Sequence, residues 1–224
     1  MRMIESTKQN GSFAALRRFV RARTVIERCD FCSAELDELH QHLIQLGQAL
    51  EGRRLVCVCG ACAILFGSQG ETAYRRVPRR ILYLPDFRMT DAQWEGLLIP
   101  IQLAFFFQSG RMGRVVALYP SPAGPIESSL DLRMWDEIAQ DNPALKRMSP
   151  DVEGLLVNRA GRAGSEGASH EYFLAPVDEC FKLAGLIRSN WRGLSGGEEA
   201  WKEIRRFFGD LKARASPAGV EPHA

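Results

Sequence analysis

The chain has 224 residues, is 46% hydrophobic and 25% charged, and carries a formal net charge of +2. That length allows one large domain, or a small one beside a medium one, and the apolar content supports a packed core. The near-neutral balance excludes a global electrostatic argument for nucleic-acid binding. Locally the charge is uneven: residues 1–88 sum to +5 and residues 89–224 to −3.

In chain order, residues 1–11 read as a loose terminus. Ser12 can cap a helix in which Phe13, Leu16, Phe19 and Val20 share one face, with Arg17, Arg18, Arg21 and Arg23 on the rest, ending near Thr24. Residues 1–26 are therefore a tail and a helix. Residues 27–70 hold five of the six cysteines, as Cys29-x-x-Cys32 and Cys57-x-Cys59-x-x-Cys62, with His40 and His42 between. Two tight Cys-x-x-Cys bends joined by a longer loop supply the four thiolates of a tetrahedral metal site. The Leu55–Cys59 segment alternates like a strand entering the second bend, and His40 and His42, two residues apart, point to one side if extended. After Cys62 the run Ala63–Phe66 is apolar.

Residues 71–215 read as an α+β domain. Tyr74–Val77 and Ile81–Leu84 are predicted strands. Thr90 begins a helix with Gln93 in the capping-box position and Trp94, Leu97 and Leu98 on its inner face. Ile99 to Phe107 is a central strand, apolar on both sides, returning through a turn at 109–113 into Arg114–Tyr119. Pro120–Pro125 reads as a rigid, exposed loop. Leu132–Ala139 is helical, a short helix restarts at Pro143, Leu155–Val157 and Tyr172–Leu174 are strands, and Arg159–Ser169 is a flexible connection. Two helices follow. Val177, Cys180, Phe181, Ala184, Ile187 and Trp191 line the first; Trp201, Ile204, Phe208 and Leu211 line the second, with Ser195 and Glu198 as its capping box. Residues 216–224 read as a disordered tail. The fold class is thus α+β: an N-terminal helix, a zinc-ribbon-like module, and a mixed domain with two C-terminal helices.

The ligand set read first is Cys29, Cys32, Cys59 and Cys62, with Cys57, His40 or His42 as possible substitutes. Zinc suits four soft thiolates and would supply folding energy to a module too small to bury enough apolar area by itself. Iron in the same tetrahedron is the alternative and would make a rubredoxin-like electron carrier; an iron–sulfur cluster is a further one. A disulfide relay fits poorly with an odd thiol in the cluster. No secretory signal is visible and no apolar run reaches 18 residues, so the expected location is the cytoplasm, where clustered cysteines are more often metal ligands than disulfides. Cys180, alone on an apolar helix face, reads as a buried thiol.

A four-thiolate site is closed and argues against hydrolysis. No Gly-x-Ser-x-Gly, P-loop or dinucleotide fingerprint occurs. Asp178 and Glu179, with His170 and Glu171 near in sequence, could form an acid/base group, but two acids after Pro176 fit better as first-turn residues complementing a helix dipole. No catalytic residue is assigned. Arg75, Arg76, Arg79 and Arg80 could meet RNA, or could simply be solvated loop residues.

From Leu16-Arg17-Arg18-Phe19 through the cysteine pattern, His40-x-His42-Leu43, Ile99-Pro100-Ile101, Phe105-Phe106-Phe107, Tyr119-Pro120-Ser121-Pro122-Ala123-Gly124 and Asp178-Glu179-Cys180 to Trp191-Arg192-Gly193-Leu194-Ser195-Gly196-Gly197, the chain resembles an uncharacterised bacterial family associated with nickel–iron hydrogenase gene clusters. The resemblance implies an accessory, assembly or electron-transfer role beside a hydrogenase, with a hydrogenase subunit or maturation factor as partner. It also makes the Cys57 position part of the pattern.

Overall fold

The computed structural model describes residues 26–47, 53–67, 73–129, 132–160, 170–193 and 196–217. The helix expected over 12–24 and most of the flexible connection expected at 159–169 lie outside the described residues. The architecture is α+β, with two sheets and, among the described residues, five α-helices.

The small sheet is antiparallel. β1 (Gln41–Gln45) lies between β2 (Arg54–Val58) and β3 (Tyr74–Arg76). Helix α1 (Gly60–Phe66) follows β2 directly. Alternation divides these strands between two tasks. Leu43, Val56 and Val58 face a small core shared with Cys29, Cys62 and Ala63. Ile44 and Leu55 face the other way, into a junction with Val77, Val152, Val177 and Phe181 of the larger region.

The large sheet contains β4 (Leu82–Tyr83), β5 (Leu103–Ser109), β6 (Arg114–Ser121), β7 (Gly124–Glu127), β8 (Glu153–Asn158), β9 (Glu171–Pro176) and β10 (Ser216–Pro217). Their order is β10-β4-β9-β8-β5-β6-β7, antiparallel throughout except for the β10–β4 pair. β5 lies inside the sheet between β8 and β6, and both its faces are buried. Leu103, Phe105 and Phe107 meet Cys180, Leu183 and Ile187 of α4 (Val177–Asn190) and Ile204, Phe208 and Leu211 of α5 (Gly197–Arg214). Ala104 and Phe106 meet Trp94 of α2 (Asp91–Gly96) and Trp135 and Ile138 of α3 (Leu132–Asp141). Helices thus cover both faces of the sheet, which explains a strand that is apolar on both sides. Where α4 crosses the sheet, Gly154 keeps the approach close: a Cβ there would stand 3.0 Å from the Phe106 carbonyl oxygen and 3.4 Å from Cys180 Sγ.

Several local expectations change. The capping box at Thr90 and Gln93 forms with both its bonds, but Leu98 leaves the inner face. It takes a positive φ of 56° after the helix end and is 64% exposed. The Pro120–Pro125 segment is a hairpin at the sheet edge, with Pro120 opposite Pro125 and Ser121 opposite Gly124. Pro125 fits because β7 is the edge strand and need not donate outward, and Pro120 because it lies past the part of β6 that pairs with β5. α5 is capped by Gly196 at a φ of 86°, without a side-chain hydrogen bond, and Ser195 lies outside the described residues. Ser216 and Pro217 run beside Leu82 and Tyr83 as a strand; residues 218–224 lie outside the description.

Candidate metal centre

The first bend is a closed loop. Arg28 and Glu35 form a β-bridge and an ion pair at its neck. Inside it the Cys29 N–H donates to the Ala34 carbonyl, and the Ser33 N–H to the Cys29 carbonyl. Ser33 turns the chain back at a positive φ of 61°. Asp30 ties this loop to the second bend: its N–H donates to the Cys57 carbonyl, and its Oδ2 accepts from the Cys57 N–H at 2.8 Å. The second bend runs off β2 into α1, where Cys59 is the N-cap and its Sγ accepts from the Cys62 N–H at 3.5 Å. Phe31 packs on Phe66 and Tyr74 and holds the loop over α1 and β3.

These restraints bring one sulfur each from Cys29, Cys32, Cys59 and Cys62 within 4.8 Å of one another. Cys32 Sγ and Cys59 Sγ are 3.7 Å apart. Four sulfurs about 2.3 Å from a zinc ion have edges of about 3.8 Å, so the donor set and its spacing fit a tetrahedral metal. Burial raises the Cys29 thiol, but N–H groups of Cys32, Cys59 and Phe31 outweigh it and bring it down to about 6. Burial and the neighbouring thiols push Cys62 up to about 12. The backbone N–H groups around Cys29 thus favour its thiolate, and a metal that displaced the thiol protons would link metal loading to proton release.

His40, His42 and Cys57 form a second group, with one donor atom of each within 4.8 Å of the others. The register causes this. His42 lies opposite Cys57 across β1 and β2, so the two side chains stand on one face, and His40 precedes His42 by two residues. This is the face of Ile44 and Leu55, turned toward α4, whereas the four-cysteine core lies on the face of Leu43 and Val56. His42 Nδ1 is 2.6 Å from Asp178 Oδ2, and His40 Nδ1 is 2.8 Å from the Asp37 carbonyl oxygen. Burial and the nearby Glu27, Asp30 and Asp178 push the Cys57 thiol up.

Asp178 therefore does more than complement a helix dipole, and sequence reasoning missed its bond to His42, as it missed the two bonds of Asp30. Asp30 is signalled by its place between Cys29 and Cys32; Asp178, 136 residues from His42, carries no local signal. The acid/base group imagined around Asp178 and Glu179 does not assemble. His170 and Glu171 sit at the far end of β9, roughly 20 Å of strand away. Glu171 pairs with Lys212, and Glu179 with Arg214. Three of the four arginines read as a possible RNA contact, though exposed, are engaged by neighbouring oxygens. Arg76 donates to Gln41, Arg79 to the Leu39 and His40 carbonyls, and Arg80 to Glu153 and the Arg147 carbonyl. Cys180 is fully buried, and burial raises its thiol.

A model of a family of unknown function, DUF5947, matches residues 28–215, a span that takes in both the cysteine module and the large sheet. The chain belongs to this family. No curated protein and no solved structure matches the chain. Among the described residues no helix is long and apolar enough to cross a membrane.

Proposed function

We propose that Cys29, Cys32, Cys59 and Cys62 hold a structural zinc ion, and that the chain is an accessory or adaptor protein docking a protein partner, which the resemblance implies is a hydrogenase subunit or maturation factor. The convergence of four thiolates with a 3.7 Å sulfur–sulfur edge supports the metal. A closed four-thiolate set has no vacant position for substrate, which favours a structural over a catalytic ion. The adaptor role rests on what the metal module displays. α1 carries Ile64 and Leu65 at 72% and 70% exposure, with Phe66 half-exposed beside them. Leu39, also exposed, lines a cleft with Cys59 and Gly60 at the start of the same helix. Apolar side chains grouped on a small rigid module suit a protein partner better than nucleic acid, whose phosphates need free cations.

A rubredoxin-like role with iron is the second reading. Its support is the exposure of Cys32, which would bring the metal's edge to the surface, as electron transfer requires. Elemental analysis and a visible spectrum of anaerobically purified protein separate the two. Zinc without colour supports the structural site; iron with thiolate charge-transfer bands replaces it with the electron carrier. Ile64→Asp with Leu65→Asp tests the docking surface. The variant should keep its metal and lose co-purification with the hydrogenase partner, and undiminished co-purification would overturn that surface.

A further inference from the structure

The contacts of the two histidines fix where their protons sit. A backbone carbonyl can only accept, so His40 Nδ1 must donate to the Asp37 oxygen 2.8 Å away. The Asp178 carboxylate, which accepts the Glu179 N–H on Oδ1, likewise accepts from His42 Nδ1 on Oδ2 at 2.6 Å. In each neutral ring the other nitrogen, Nε2, is then a bare lone pair. Those two Nε2 atoms face each other at 3.1 Å. Two lone pairs at that distance repel unless a cation lies between them. Two imidazole nitrogens bound to one zinc ion at about 2.0–2.1 Å lie about 3.3 Å apart, close to the separation here. Cys57, across the strand pair from His42, supplies a third donor. A backbone carbonyl thus backs the His40 ring, with the Glu27 carboxylate 3.6 Å off as a nearby charge, and the Asp178 carboxylate backs the His42 ring. A carboxylate behind a histidine is the arrangement that orients metal-bound imidazole and raises its basicity.

We infer that His40 Nε2, His42 Nε2 and Cys57 Sγ form a second metal site, on the opposite face of the β1–β2 pair from the four cysteines, taking a divalent first-row transition ion. The mixed imidazole and thiolate set suits zinc or its close neighbours. Three protein donors leave a fourth position vacant, unlike the closed four-cysteine set. His40 and His42 line a cleft of about 260 Å³, together with Glu38, Arg79, Asp178, Glu179 and Arg214, which leaves room for water or another small ligand beside the two rings. The site also joins the two regions of the molecule, because Asp178 belongs to α4, and His42 and Cys57 to the small sheet, with His40 just before β1.

Full-length protein carrying its tightly bound metal is titrated with cobalt(II) and followed in the visible and near-ultraviolet. The expected result is one added cobalt per chain, with the bands of a four- or five-coordinate ion and the charge-transfer intensity of a single thiolate. Cys57→Ala should remove the charge-transfer band, and His42→Gln should abolish binding in the measured range. Asp178→Asn, which leaves all three donors, should weaken binding 10–100-fold with the spectrum unchanged. Absence of cobalt bands in the wild-type protein overturns the inference and leaves a shared proton between the rings. Bands that survive Cys57→Ala at four-thiolate intensity come from exchange at the other site and equally overturn it. The metal content of the starting protein reports separately on the four-cysteine site.

Discussion

The two sheets are stabilised by different means. The large sheet is buried on both faces, with Phe105, Phe106 and Phe107 all at zero exposure and helices on either side. The small sheet has a core of six buried residues, two of them the cysteines Cys29 and Cys62. Burying a large apolar side chain stabilises by about 1.5–3 kcal/mol, and so small a core cannot offset the ordering of some forty residues. The large region can stand on apolar packing; the small one needs a metal, its junction with the large region, or both.

Metal removal should break this comparison most visibly. Structural zinc contributes on the order of 10 kcal/mol to small zinc modules. Chelation, or Cys29→Ser with Cys62→Ser, should therefore strip hydrogen-exchange protection from β1, β2 and β3 while β5, β8 and β9 keep theirs. Uniform loss across both sheets would mean that the regions fold as one unit. Acid should release the metal in the same order, since the thiols must lose protons to bind it.

The next largest effect lies at the joint. Arg53, just before β2, is buried, pairs with Asp151 and Ser109 of the large region and lies over the Phe107 ring. Removing one partner of a buried pair costs about 3–5 kcal/mol, because the other is left uncompensated. Arg53→Ala should accordingly split thermal unfolding into two transitions, seen by calorimetry. A single transition, merely shifted, would place the coupling elsewhere.

The smallest effect sharpens the comparison within the large region. Glu153 is buried, which raises its carboxyl, but bonds from Arg80 and Ser149 outweigh burial and hold it below the usual range. A carboxyl depressed in the folded state stabilises above its unfolded value, and that contribution is lost as pH falls through the ordinary carboxylate range toward the lowered one. Glu153→Gln should cost about 1.5–3 kcal/mol at neutral pH and flatten the acid limb of denaturant-midpoint profiles. An unchanged acid limb would show that other carboxylates govern it.

Much of this was legible in the chain. The alternation through Ile99–Phe107 signals an inner strand, which forms from Leu103 onward, the Thr90–Gln93 cap forms with both its bonds, and the spacing of the cysteines marks the four that converge. What was hidden is long-range. Nothing near Tyr74 says that its strand joins β1 and not the large sheet. Nothing near Asp178 points to His42, because the meeting depends on how α4 docks on the small sheet. The hairpin at Pro120–Pro125 was obscured because proline and glycine mark loops and edge-strand turns alike.

Cys180 gives the molecule its own gauge of opening. Its sulfur lies fully buried between α4 and the sheet, against Gly154 of β8. A thiol reagent reaches it only after α4 has lifted from the strands, whatever the state of the five cysteines in the small module. The rate at which this sixth sulfur is labelled is therefore a clock for rupture of the large core.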